Sequence, residues 1–106
     1  MDNLARLAED HIAAAREAEH GRSAELLLHD GPLRQSLIAL AEGFELDEHE
    51  APTAGALLVL RGRVRLTAPG GDVELAEHQF AAIPQERHGL TAIQDAAVLL
   101  TTVTGI

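Results

Sequence analysis

The stretch from Gly43 to Gly62, GFELDEHEAPTAGALLVLRG, constrains the fold more than any other part of the chain. An acidic segment leads to a lone histidine, His49; the chain turns at Pro52; a continuous apolar run, Ala56 to Leu60, follows. A short apolar run bounded by glycine and proline reads as a strand buried on both faces. The order suggests a polar lip, a residue facing a pocket, and a strand in the core.

The segments around it continue in strand rhythm. Ala24 to His29 is one candidate, closed by Asp30-Gly31-Pro32, and Leu33 to Ala41 is the next. In the latter, Leu37, Ala39 and Ala41 fall on one face and Ile38 and Leu40 on the other, so both faces should be covered. Phe44 to Glu50 and Ala56 to Arg61 follow, and Gly62 breaks the second of these. Arg63 to Ala68 alternates, and Gly70-Gly71 suits a two-residue hairpin that pairs Ala68 with Val73 and Leu66 with Leu75, with Arg65 diagonal to Glu74. Gln79 to Ile83, Arg87 to Ile93 and Ala96 to Val103 complete a set of about eight short strands, which implies a barrel or sandwich.

Residues 3 to 20 break this rhythm and read as a helix, with Leu4, Leu7, His11, Ala15 and Ala18 as a weak apolar stripe. Asp2 or Asn3 caps its start and Gly21 its end. Such a helix lies across the outside of a barrel or against a partner subunit. His11 and His20 carry no catalytic expectation.

A chain of 106 residues is expected to form one domain: the helix at 1–21 and a barrel at 22–106. Phe44 and Phe80 are its only aromatics, so the core must be aliphatic. The net charge of −9 has the wrong sign for nucleic acid and for anionic membranes, and no Trp or Tyr is present to stack on bases. All eight basic residues are Arg, which removes Schiff-base lysine chemistry. Without cysteine there are no disulfides, thiolate nucleophiles or Cys-based zinc sites. No apolar run approaches the ~20 residues of a spanning helix, and MDNLARLAED lacks a signal core, so the expected location is the cytoplasm.

At these residues the chain resembles a small single-domain cupin. The family's first motif, G-x5-H-x-H-x3-E-x6-G, is matched by Gly43, His49 and Gly62, and its second by Ile83-Pro84 with His88. The resemblance covers roughly Leu33 to Val103. It implies an all-β fold, a cupin-like double-stranded β-barrel (jelly roll) with one N-terminal α-helix, and commonly a homodimer. The departures are specific. The second histidine of the first motif falls on Ala51 and its glutamate on Gly55; His88 comes one residue early, His78 replaces a turn glycine, and Ala92 stands at an asparagine position. Two of the four metal ligands that the resemblance implies are therefore missing.

The candidate site follows from what remains. His49 and His88 are the expected ligand-binding residues. A divalent metal would rest on His49, His88 and Asp47, which lies two residues before His49 on the same strand face. Three or four protein ligands are the usual requirement, so the favoured reading holds no metal and makes both histidines hydrogen-bonding groups in a polar interior. Glu42, Glu45, Asp47, Glu48 and Glu50 read as a wet rim. Arg61, Arg63 and Arg65 read as a salt-bridge ladder on one solvent face rather than an anion site. No G-x-S-x-G, G-x-G-x-x-G or P-loop is present, and no catalytic residue is assigned. The preferred function is a small-molecule-binding or non-catalytic domain with a degenerate metal site. A metal-dependent dioxygenase or isomerase and a ligand sensor acting through a protein partner remain as alternatives.

Overall fold

The computed structural model describes residues 2–104, and of His49 the backbone alone. The chain opens with α1 (Leu4–Glu17) and continues as β1 (Arg22–Asp30), β2 (Leu33–Leu40), β3 (Glu45–His49), β4 (Ala54–Arg61), β5 (Arg63–Thr67), β6 (Val73–Ala76), β7 (Phe80–Ala82), β8 (His88–Ala92) and β9 (Ala96–Val103). The strands form two antiparallel sheets, ordered β1-β2-β9-β4-β7 and β3-β8-β5-β6. Between them lies an aliphatic core that includes Leu40, Leu57, Val59, Val64, Leu75 and Val98. The expected all-β jelly roll with one N-terminal helix is the fold of the chain.

β2 shows why its sequence is apolar on both faces. Ile38 and Leu40 point into the core, while Ala39 points outward and packs with Ala97 under α1. The helix starts where Asn3 Oδ1 accepts the Arg6 N–H at 3.1 Å and ends at Glu17, three residues short of the expected boundary. Its buried line runs through Ala8 and Ala15, both 0% exposed, with Ile12 beside them; of the expected stripe only Ala15 is fully buried. Alanine on both surfaces lets the helix axis come close to the sheet. Polar contacts hold the helix there. Arg16 Nε donates to Asp95 Oδ2 at 2.6 Å, and Arg61 Nη2 donates to Glu9 Oε1 at 2.6 Å. His11 Nε2 donates to Glu25 at 2.9 Å, which leaves Nδ1 to accept from the Ser23 hydroxyl at 2.7 Å when the ring is neutral.

Two local expectations are corrected. The β5–β6 pairing is Leu66 with Val73 and Val64 with Leu75, so the connection is longer than a two-residue turn. Pro69 has no N–H to give to a ladder, and Asp72 Oδ1 accepts the Ala68 N–H at 3.3 Å, closing a loop instead. The shift is two residues, so every side chain keeps its face. Arg65 now sits directly opposite Glu74, with the charges 3.8 Å apart.

The arginines do not form one row, because Gly62 is the corner where the chain leaves one sheet for the other. Gly62 has φ +80°, and a Cβ there would collide with the Asp95 carbonyl. Arg61 therefore serves the helix side, against Glu9 and Glu77, while Arg65 serves the other sheet.

Candidate functional site: the barrel interior and its mouth

β3 and β8 form the wall that carries both site histidines. Their register sets Leu46 opposite Leu90 and His49 opposite His88. Directly opposed positions of an antiparallel pair bring the two Cα atoms to about 4.5–5.5 Å. The His49 side chain lies outside the described residues, so the register fixes its backbone alone.

His88 is 4% exposed and is the only buried polar residue among those described. Its Nδ1–H donates to the Glu86 carbonyl at 3.0 Å. Eight aliphatic side chains, among them Leu46, Leu57, Leu90 and Leu100, enclose a residual cavity of about 20 Å³ with His88 in its wall. That is room for about one water molecule and no more. Instead of the expected polar interior, the lining of this cavity is apolar except for His88.

Asp47 is not part of that lining. β3 bulges between Leu46 and His49, three steps on β3 spanning two on β8, so strict alternation from Asp47 to His49 is interrupted. Asp47 is exposed and borders two surface grooves, one of about 540 Å³ with His20, Arg22 and Phe44, the other of about 350 Å³ with Thr67 and Arg87. The remaining acids, Glu42, Glu45, Glu48 and Glu50, are exposed as a wet rim should be. Arg87 crosses it, 3.6 Å from Glu48 and 3.3 Å from Glu50.

The two substituted ligand positions behave differently from a merely emptied centre. Ala51 offers no donor atom. At Gly55 a Cβ would meet Ile83 at 3.0 Å, the Thr101 carbonyl at 3.1 Å and Pro52 at 3.2 Å. Even the first atom of a side chain there would need Ile83 and Pro52 to give way by a few tenths of an ångström. The donor set therefore does not fit the four-ligand metal centre that the sequence resemblance implies, and among the described residues no group of three or more metal-ligating side chains converges.

Sequence reasoning passed over Asp95, the one carboxylate with a clearly displaced pKa. The Glu42 N–H donates to its Oδ1 at 2.8 Å and Arg16 to its Oδ2, and together they hold the carboxyl below its ordinary value. It ties the β8–β9 turn to the Ala41–Gly43 turn and to α1, in a groove of about 430 Å³ that Glu9, Arg61 and Glu77 also line. The signal available in sequence was the motif glycine Gly62, whose corner leaves room for the Asp95 backbone.

No family model matches this sequence, and a search of the curated proteins found no match. Solved structures do match. The chain is similar to a conserved protein of unknown function from Streptococcus pyogenes, with TM-score 0.75, 22% identity, and 84% of this chain and 79% of that one covered. It is similar to a cupin superfamily protein from Desulfitobacterium hafniense, with TM-score 0.73, 19% identity and 79% and 78% covered. The fold is that of the cupins. An RmlC-like cupin from Desulfovibrio desulfuricans aligns likewise, with TM-score 0.67, 23% identity and 77% and 81% covered. In this chain the barrel keeps a cavity of about 20 Å³, buries His88 in its wall and crowds the backbone at Gly55.

Proposed function

We propose that this chain is a non-catalytic cupin-fold domain with a degenerate metal centre, working in the cytoplasm as a homodimer. The observation that carries this reading is the interior: eight aliphatic side chains and His88 around about 20 Å³. General acid–base or metal chemistry needs several convergent polar groups and room for a substrate beside them. Small-molecule binding is accordingly confined to the mouth, at His49 and His88, and to the wet grooves outside it.

A second reading, a metal-dependent dioxygenase or isomerase, draws on two features. His49 stands opposite His88 in the β3–β8 register. The His88 ring is also held through Nδ1–H by a backbone carbonyl, as metal-ligating histidines commonly are. Elemental analysis of untagged protein beside a His49→Ala/His88→Ala variant separates the two. The expected result is metal at background level in both, with both folded. Near-stoichiometric metal in the wild type, lost in the variant, would overturn the non-catalytic reading.

A further inference from the structure

α1 is fastened to the barrel differently from the strands. Among the described residues, the backbone hydrogen bonds of the helix and its caps stay within residues 3–21, whereas every strand is tied to a neighbour by a ladder. Both sheets are therefore complete without the helix. The first backbone bond into the barrel is made at Gly21, whose carbonyl accepts the Ala41 N–H at 2.8 Å. Gly21 has φ +64° and lies against the Phe44 ring, which a Cβ there would strike, so the barrel grips the chain at that point. Between this grip and the helix stand the exposed Glu19 and His20, with Ala18 already extended.

The seam under the helix is thin. The fully buried side chains that meet across it are methyl groups, Ala8 and Ala15 against Ala39 and Ala97, with Ile12 and Leu60 only partly buried beside them. A methyl group withdraws little apolar surface from water, so parting this seam forfeits far less than parting the leucines and valines between the sheets. The polar contacts set the helix in place more than they anchor it. The Arg16–Asp95 and Arg61–Glu9 pairs leave the arginine side chains 61% and 43% exposed, and ion pairs so well wetted contribute modestly. His11, Ser23 and Glu25 are bonded to one another and return to water when the helix lifts.

We infer that α1 opens as a unit: it lifts from the sheet and docks again while both sheets stay closed. A helix of 14 residues is marginal by itself in water, so α1 unwinds while it is away. Opening of this kind is subglobal, with a free energy below that of unfolding the whole chain. It uncovers Ala39, Ala97 and Leu60 together with Glu25, Arg61 and Asp95, a surface that the closed chain does not present.

The test uses the absence of cysteine from the chain. Ala96 and Ala97 are adjacent on β9 and both buried, but Ala96 faces the core between the sheets and Ala97 faces α1. Ala97→Cys and Ala96→Cys are each treated with an aromatic disulfide reagent without denaturant. The rate of thiol labelling is normalised to each variant's unfolded fraction from urea denaturation. Global unfolding exposes both positions equally, whereas release of α1 exposes position 97 alone. The expected result is labelling about tenfold faster, or more, in Ala97→Cys. A smaller ratio overturns the inference. A sulfur at position 97 can also push the helix aside, so hydrogen exchange on wild type supplies a second reading and decides if the two disagree. The amides of Ile12 to Arg16 are expected to exchange faster than those of β2 and β9, and with a weaker dependence on urea, because a smaller surface opens. Exchange there that is no faster than in β9, or that has the same urea slope, overturns the inference.

Discussion

Leu57 and Leu58 are adjacent on β4, and the sheet sends them to opposite fates. Leu57 is 2% exposed and packed between the two sheets; Leu58 lies partly open on the outer face between Leu99 and Phe80. The residues are chemically identical, so the difference belongs wholly to what covers each face. The inner face is closed by the second sheet. The outer face is closed by α1 over Ala39 and Ala97, while toward β4 and β7 Leu58 is only partly buried and Phe80 is exposed.

The largest predicted effect tests that contrast directly. Leu57→Ala should cost about 3 kcal/mol in urea denaturation, because it removes a buried side chain and leaves a cavity. Leu58→Ala should cost under about 1 kcal/mol in dilute protein. Equal costs for the two in dilute protein would erase the contrast between the faces.

Next comes the crowded ligand position on the inner face. Gly55→Glu should destabilise by about 2 kcal/mol, since Ile83 and Pro52 must move to admit a side chain. It should not restore metal binding when combined with Ala51→His, which the same denaturation series and elemental analysis would read.

Asp95 sharpens the contrast at the seam between helix and sheet. Asp95→Asn should cost about 1 kcal/mol at neutral pH, through weaker bonds to Glu42 and Arg16. The native carboxyl is held below its ordinary value of 3.8, so its contribution is complete above that pH and fades as pH falls through the lower, folded value. Acid unfolding of Asp95→Asn should accordingly be less steep than that of wild type in the range below 3.8.

A smaller effect is expected inside. His88→Leu should change stability by under about 1 kcal/mol, because leucine continues the aliphatic lining and offsets the hydrogen bond lost to the Glu86 carbonyl. The smallest is at a turn. His78 has φ +69°, a left-handed conformation on a non-glycine residue, so His78→Gly should stabilise by roughly 0.5 kcal/mol after the added freedom of the unfolded chain is counted.

Much of the fold was legible in the sequence because strand alternation and turn residues are local. β9 matches its expected bounds, Ala96 to Val103, and the two-faced burial of β2 is written in Leu37 through Leu40. The hairpin register was misjudged because Pro69 and Asp72 favour a longer loop, a choice that alternation cannot detect. The candidate site was less legible. The sequence named His88 and showed that Ala51 and Gly55 are no ligands. It could not show that Ile83 crowds the backbone at Gly55, that a bulge interrupts the strand between Leu46 and His49, or that Asp95 would tie three elements together.

By itself, then, the sequence determined the pattern of apolar and polar positions, the break at Gly62, the absence of cysteine and lysine chemistry, and the loss of two ligand types. Those properties depend on residue identity and on neighbours a few positions away. The tertiary structure alone decided which apolar face is enclosed, how little space the interior keeps, and where α1 stops covering the outer sheet. Each of those outcomes depends on side chains brought together from distant parts of the chain, whose volumes compete for the same space.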